Sequence, residues 1–150
     1  MTSVLFVCLG NICRSPTAEA VFRSRAAAAG LEVTADSCGT GGWHAGEPPY
    51  MPAIEAAARR GYDMRALRAR QLEAADFMRF GHVLVMDRSN LADALAVMPA
   101  GGAQPRLFLS HAPELGRSEV PDPWYSRDFD GALDLIEAAT DGLIRDLMKG

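Results

Sequence analysis

Val4-Leu5-Phe6-Val7-Cys8-Leu9-Gly10-Asn11-Ile12-Cys13-Arg14-Ser15-Pro16 lies near the start of the chain, and its punctuation decides the architecture. The apolar run Val4–Val7 reads as a short buried strand. Ser15 followed by Pro16 reads as a helix N-cap and a first helical position. The residues between them then form a loop joining a strand end to a helix start. Outward from that loop the same alternation continues. Thr17 to about Ala29 predicts a helix, with Ala18, Val21, Phe22 and Ala26 on one face and Gly30 as its stop. Leu31–Ser37 alternates as a strand does, and a glycine-rich loop runs from Gly39 to Pro49. Ala53–Arg60 reads as a helix closed by Gly61, Glu73–Phe80 as a short helix, His82–Met86 as a strand and Arg88–Val97 as a helix. Pro105–Leu109 is the last expected strand and, after a long loop, Phe129–Met148 the last helix. Strands alternating with helices predict an α/β fold, a parallel sheet covered by helices on both faces. Ligands in such sheets bind beyond the strand C-termini, where Cys8 falls.

The 150 residues fit one domain, 1–150, with 49% hydrophobic and 23% charged residues, the balance of a soluble globular chain. A net charge of -4 argues against nucleic-acid partners, so any anion affinity has to be local. Three cysteines, two of them in the first loop, do not form a disulfide framework and suit a reducing compartment. Met1-Thr2-Ser3 runs directly into the first strand, so no signal peptide is expected, and no apolar run approaches the ~20 residues of a membrane span. A cytoplasmic location follows, with non-classical export left open. His44, His82 and His111 lack metal spacing, so no metal site is expected. His44 reads as a rim residue, His82 as core packing in an apolar strand and His111 as a loop residue. Arg23, Arg25, Arg59 and Arg60 read as solvated helix faces.

The loop from Cys8 to Ser15 carries chemistry in nearly every residue. Backbone N–H groups and a helix N-terminus pointing into one concavity bind an anion. A free cysteine titrates near ~8.5, but at a helix N-terminus beside a cation it falls to roughly 3.5–7.5. Cys8 is therefore a nucleophile for phosphorus. Arg14 offers a planar fork for two phosphate oxygens. Leu9, Gly10, Asn11, Ile12 and Cys13 supply cradle N–H groups. Gly10 removes bulk where the loop closes, Asn11 tolerates the left-handed conformation, and Ser15 can donate to the sulfur. A thiolate attack also needs an acid for the departing oxygen. Val120-Pro121-Asp122-Pro123-Trp124-Tyr125 provides it: Asp122 sits between two prolines on a stiff backbone. The plain alternative is an Asp-Pro turn before the last helix.

These residues resemble the low-molecular-weight protein tyrosine phosphatases over essentially the whole chain. The likeness rests on Cys8 to Pro16, Gly39-Thr40-Gly41-Gly42-Trp43-His44, Ala69-Arg70-Gln71-Leu72, Met86-Asp87-Arg88-Ser89-Asn90-Leu91 and Asp122-Pro123-Trp124. It implies a three-layer sandwich whose four-stranded parallel sheet has the order 2-1-3-4, a cofactor-free phosphatase, and the roles of nucleophile, phosphate ligand and general acid for Cys8, Arg14 and Asp122. Trp43 matches one wall of the substrate crevice, and Trp124 and Tyr125 the opposite wall. Tyr125 also holds a place where some relatives carry a phosphorylatable tyrosine. The partners implied are phosphotyrosine proteins or small aryl phosphates, with phosphate, sulfate or vanadate as site ligands. In relatives the pair matching Cys8 and Cys13 forms a reversible disulfide, and a small buried filler is the other reading of Cys13. Cys38 reads as structural, and Ser37 and Asp87 as braces of the first loop.

Three positions depart from the family pattern. Tyr50 and Pro52 replace an Asp and an Arg found in many relatives, and Leu67 replaces a His that contacts the loop Asn. The brace on Asn11 is thereby in question. Among rival functions, arsenate reductase needs cysteines later in the chain, and none follows Cys38. Protein-arginine phosphatases resemble this chain but carry Thr at the position of Ile12. A non-catalytic phosphotyrosine-binding module has no need of Cys8, Arg14 and Asp122 together.

Overall fold

The computed structural model describes residues 1–150. Its sheet is built from β1 (Thr2–Cys8), β2 (Val33–Gly39), β3 (His82–Val85) and β4 (Pro105–Leu107), all parallel, in the order β2-β1-β3-β4. The helices are α1 (Arg14–Ala28), α2 (Met51–Arg59), α3 (Asp76–Arg79), α4 (Arg88–Val97), α5 (Pro123–Ser126) and α6 (Phe129–Lys149). Successive side chains of a strand point to opposite faces. Val4, Phe6 and Cys8 therefore enter the larger core with α1, α2 and α6, while Leu5 and Val7 join Val83, Val85, Phe77 and Ala94 on the other side. That division makes the three layers. Phe6 anchors the larger core, with its ring centroid 5.6 Å from Phe22 and 5.2 Å from Phe108, both edge-on. Burying such a ring contributes about 2–3 kcal/mol. No helix is long and apolar enough to cross a membrane.

Several element boundaries differ from the sequence expectation, each for a tertiary reason. The first helix begins at Arg14, with Cys13 as its N-cap and no side-chain capping bond. Ser15 is not the cap, because its hydroxyl is buried among Cys8, Asn11 and the Cys38 carbonyl. The second strand runs two residues later than read, since pairing with β1 carries it from Thr2↔Val33 to Cys8↔Gly39. The third helix shrinks to Asp76–Arg79, preceded by a turn in which the Asp76 carboxylate accepts from Glu73 N–H and from Arg70. The fourth strand stops at Leu107, because Phe108 and Leu109 turn into the core in a 3-10 segment, Phe108–His111. Gly30 does end α1, in the left-handed conformation at φ 72.

His82 is not core packing. It opens β3 at the N-terminal rim of the sheet and is exposed. Arg25 and Arg60 are not free solvated charges either. They reach from α1 and the end of α2 to α6, where Glu137 accepts from Arg25 at 3.0 Å, Arg60 at 2.7 Å and the Tyr62 hydroxyl at 2.6 Å. Arg23 pairs with the buried Glu19 at 2.7 Å.

Candidate functional site

At the C-terminal end of β1 the chain leaves the sheet at Cys8 and re-enters regular structure at Arg14. Asn11 makes the reversal possible by adopting φ 58. Its backbone N–H donates to Cys8 Sγ at 3.3 Å, and Ser15 Oγ lies 3.0 Å from the same sulfur. The Asn11 side chain locks the loop on three sides. Nδ2 donates to Ser15 Oγ at 2.8 Å and to Ser37 Oγ at 3.0 Å, and Oδ1 accepts from the Arg70 N–H at 3.0 Å. Leu67 contributes no polar contact and packs against the larger core. The loss of a histidine there therefore leaves Asn11 fully partnered. The glycine-rich loop lies against this turn, with Thr40 and Gly41 N–H donating to the Cys8 and Leu9 carbonyls at 2.9 Å. Gly39 is required at the crossing, since a Cβ would stand 2.7 Å from the Leu9 carbonyl oxygen.

Arg14 is almost fully buried and stretches under the loop toward the long segment after β4. Its Nη1 donates to Asp87 Oδ2 at 2.7 Å and to the Val120 carbonyl at 2.9 Å. Its Nη2 lies 3.5 Å from Asp122 Oδ2, and its Nε is buried with no partner. Burial opposes the guanidinium charge, but Cys8, Asp87 and Asp122 around it outweigh that cost and raise the Arg14 pKa above the ordinary arginine value. Asp87 serves twice, since its Oδ1 also caps α4 by accepting from the Asn90 N–H at 2.7 Å. Asp122 caps α5 in the same way, accepting from the Trp124 N–H at 3.0 Å, with Pro123 at the first helical position. The Val120 N–H donates to the Met86 carbonyl at 2.9 Å, so the segment carrying Asp122 is fastened to the end of β3.

These loops enclose a pocket of about 300 Å³. Cys8, Leu9, Gly10, Ile12, Cys13 and Arg14 line it from the first loop, Trp43 and His44 from the glycine-rich loop, and Asp122, Trp124 and Tyr125 from the segment after β4. Of the residues singled out from the sequence, Asn11 and Ser15 do not line it; their hydrogen bonds hold the first loop. Trp43 and Tyr125 are largely exposed at the mouth, and Trp124 is partly covered. Burial pushes the Cys13 thiol up to about 12, with Cys8 and Asp122 adding to the effect. Cys38 is buried and its thiol is raised by the same cause. Two further residues stand at this rim, and only Arg127 leaves no sign in the sequence. Tyr50 packs against Trp124 with centroids 4.7 Å apart and the rings tilted by 51°, and Arg127 donates to the Tyr50 hydroxyl at 3.0 Å. The unusual Tyr50 was a signal; nothing local marks Arg127. A thiol, a buried cation with an unpaired N–H and a carboxylate thus share one aromatic-walled cleft, which suits attack on an aryl-linked anion.

A family model described as low molecular weight phosphotyrosine protein phosphatase matches residues 3–150. A low molecular weight protein-tyrosine-phosphatase of Bacillus subtilis is 38% identical, covering 99% of this chain and 97% of that protein. Its crystal structure superposes with a TM-score of 0.95, over 99% of this chain and 96% of that one. A Schizosaccharomyces pombe low molecular weight phosphotyrosine protein phosphatase is 47% identical, over 81% of this chain and 80% of its own. The structure of a Drosophila arginine phosphatase also superposes, with a TM-score of 0.89 at 26% identity, covering 98% of both chains.

Proposed function

The chain belongs to the low molecular weight phosphotyrosine protein phosphatase family, and we propose that it hydrolyses phosphotyrosine monoesters through a phosphocysteine on Cys8. The observation that carries this reading is the meeting of Cys8, Arg14 and Asp122 in one pocket between Trp43 and Trp124. The Cys8 sulfur attacks phosphorus as the bond to the aryl oxygen breaks, and Asp122 gives its proton to that oxygen. Water then attacks the phosphocysteine, Asp122 takes a proton from it, and the sulfur leaves as thiolate with phosphate released. Arg14 offers its unpaired Nε and its Nη2 to phosphate oxygens, and the loop's backbone N–H groups other than that of Asn11, which is committed to Cys8 Sγ, are offered to the remainder. The Ser15 hydroxyl, in reach of the sulfur, favours the thiolate as nucleophile and as leaving group.

The aromatic walls favour a planar aryl ester, since stacking of a ring pair adds about 0.5–1.5 kcal/mol beyond burial. Ile12 in the pocket lining presents no hydroxyl to a phosphoguanidinium, which favours phosphotyrosine over phosphoarginine. Phosphotyrosine proteins and small aryl phosphates are the substrates of this reading, and phosphate, sulfate and vanadate its simple ligands. The whole span 1–150 acts as one unit, and three cysteines kept as free buried thiols suit the cytoplasm.

Phosphotyrosine, phosphoserine and phosphoarginine peptides assayed with wild type, Cys8→Ser and Asp122→Ala test the proposal. Turnover of phosphotyrosine alone is expected. It should be abolished in Cys8→Ser with binding retained, and slowed about 10²–10⁴-fold in Asp122→Ala for poor leaving groups. Full activity of Asp122→Ala on phosphotyrosine removes the acid assignment, and faster turnover of phosphoarginine removes the substrate class.

A further inference from the structure

Tyr50 joins the two loops on which the proposed reaction depends. Its backbone N–H donates to the Ile12 carbonyl at 2.8 Å, inside the loop that carries Cys8. Its hydroxyl accepts from Arg127 Nη2 at 3.0 Å, just beyond the helix that Asp122 caps. Between these ends its ring lies 4.7 Å from Trp124 and 6.0 Å from Phe129, centroid to centroid. Arg127 is committed to the arrangement. It adopts φ 60, a conformation unfavourable for a long side chain. Its guanidinium stands 5.3 Å from the centroids of both Tyr50 and Phe129.

The helix between Asp122 and Arg127 has four residues. A single turn has no stability of its own, so tertiary contacts must hold it. Asp122 is bound to that turn through the Trp124 N–H. Whatever fixes Trp124 and Arg127 therefore fixes the Asp122 carboxylate as well. We infer that the Tyr50–Arg127 clasp is a positioning device that sets Asp122 against Cys8. The inference rests on the reading of Asp122 as general acid. Tyr50 does not touch the reacting atoms and acts through Trp124 and Arg127.

A displaced acid hurts substrates in proportion to their need for a proton, whereas general damage to the fold hurts all of them alike. The test is therefore kcat/KM for phenyl phosphate and for 2,4-dinitrophenyl phosphate, with Tyr50→Ala and Tyr50→Phe in wild-type and Asp122→Ala backgrounds. In the wild-type background Tyr50→Ala is expected to lose about tenfold on phenyl phosphate and under about twofold on the dinitrophenyl ester. Tyr50→Phe keeps the ring and loses the hydroxyl, so it should show the same selectivity at about threefold. With Asp122→Ala already present, neither change should cost more than about twofold on either ester. Equal losses on both esters, or an undiminished loss without Asp122, overturn the clasp. If Asp122→Ala itself shows no leaving-group preference, the acid assignment fails, and the clasp with it. Tyr50→Phe carries the same comparison should Tyr50→Ala not fold.

Discussion

The Asn11 Oδ1 atom accepts from the backbone N–H of Arg70 at 3.0 Å, so the left-handed residue of the Cys8 loop is held by main chain from a distant segment. No substitution at position 70 short of proline removes this donor, and Leu67 is thereby released from any polar duty. Asn11→Ala loses this bond and both bonds to Ser15 and Ser37, and leaves alanine in the left-handed region. It should destabilise the protein by about 3 kcal/mol and lower kcat/KM on phosphotyrosine at least tenfold, by roughly the cost of a misplaced cradle. Leu67→Ala should keep kcat/KM within about threefold. Denaturant melts paired with steady-state assays of the two variants decide the matter. A larger kinetic loss from Leu67→Ala would return the brace to position 67.

The difference between Asn11 and Leu67 shows what was legible in the sequence and what was not. Cys8, Arg14 and the loop between them are neighbours in sequence, so their chemistry could be read locally. The apolar runs of β1 and β3 placed the two central strands, because a strand buried on both faces leaves a near-continuous apolar signature, whereas the edge strands β2 and β4 carry polar residues and were read with shifted bounds. Partners that arrive through the sheet left no local mark. The Arg70 N–H, the Val120 carbonyl and the Arg127 guanidinium are each far from what they hold. Ser15 misled because a good capping residue was recruited by the sulfur and by Asn11 instead. Arg25 and Arg60 misled because the acidic face of α6 that receives them lies more than seventy residues away.

Glu19 is a buried carboxylate under the same loop, accepting from Ser37 Oγ at 2.8 Å and paired with Arg23 at 2.7 Å. Burial raises its pKa above the ordinary value, and Ser37 and Arg23 only partly offset this. The folded protein therefore keeps the Glu19 proton to higher pH than the unfolded chain does. Its contribution is fully present below the unfolded value, about 4.3, and is lost as pH rises through the folded one. Glu19→Gln cannot ionise, so the stability of wild type relative to Glu19→Gln should fall across that window and then level. Thermal melts of both proteins from pH 4 to 8 measure the difference, and a rising difference would contradict the burial argument.

Cys13 lines the pocket, yet its thiol is pushed up to about 12 by burial and by Cys8 and Asp122. A thiol that stays protonated at neutral pH is a poor nucleophile. Cys38 is shielded in the smaller core. Iodoacetamide at pH 7.5 should therefore label Cys8 alone in the folded protein, with phosphate slowing the reaction, and label all three cysteines once the chain is unfolded. Peptide mass spectrometry reads the sites. Labelling of Cys13 at a rate comparable to Cys8 would show that the first loop opens far more than its packing allows.

Gly41 governs the exposed wall of the crevice. A Cβ built there would stand 1.8 Å from the Trp43 ring, so the indole lies where only glycine leaves room. Trp43 is 71% exposed, which leaves it room to turn away. Gly41→Ala should therefore displace the ring at little cost in stability. Losing one aromatic wall removes about 0.5–1.5 kcal/mol of stacking, a rise of roughly two- to twelvefold in KM for a phosphotyrosine peptide. An alkyl phosphate, with no ring to stack, should show an unchanged KM. Trp43→Ala should reproduce the same pair of results, and Gly41→Ala added to it should change little further, since the group nearest the new methyl is already gone. Fluorescence of the two tryptophans reports the displacement independently, because Trp124 sits on the opposite wall beside Tyr50 and is untouched by the change. A KM rise shared equally by aryl and alkyl esters would place the effect of Gly41 in the loop backbone beneath Leu9 and not in the indole wall.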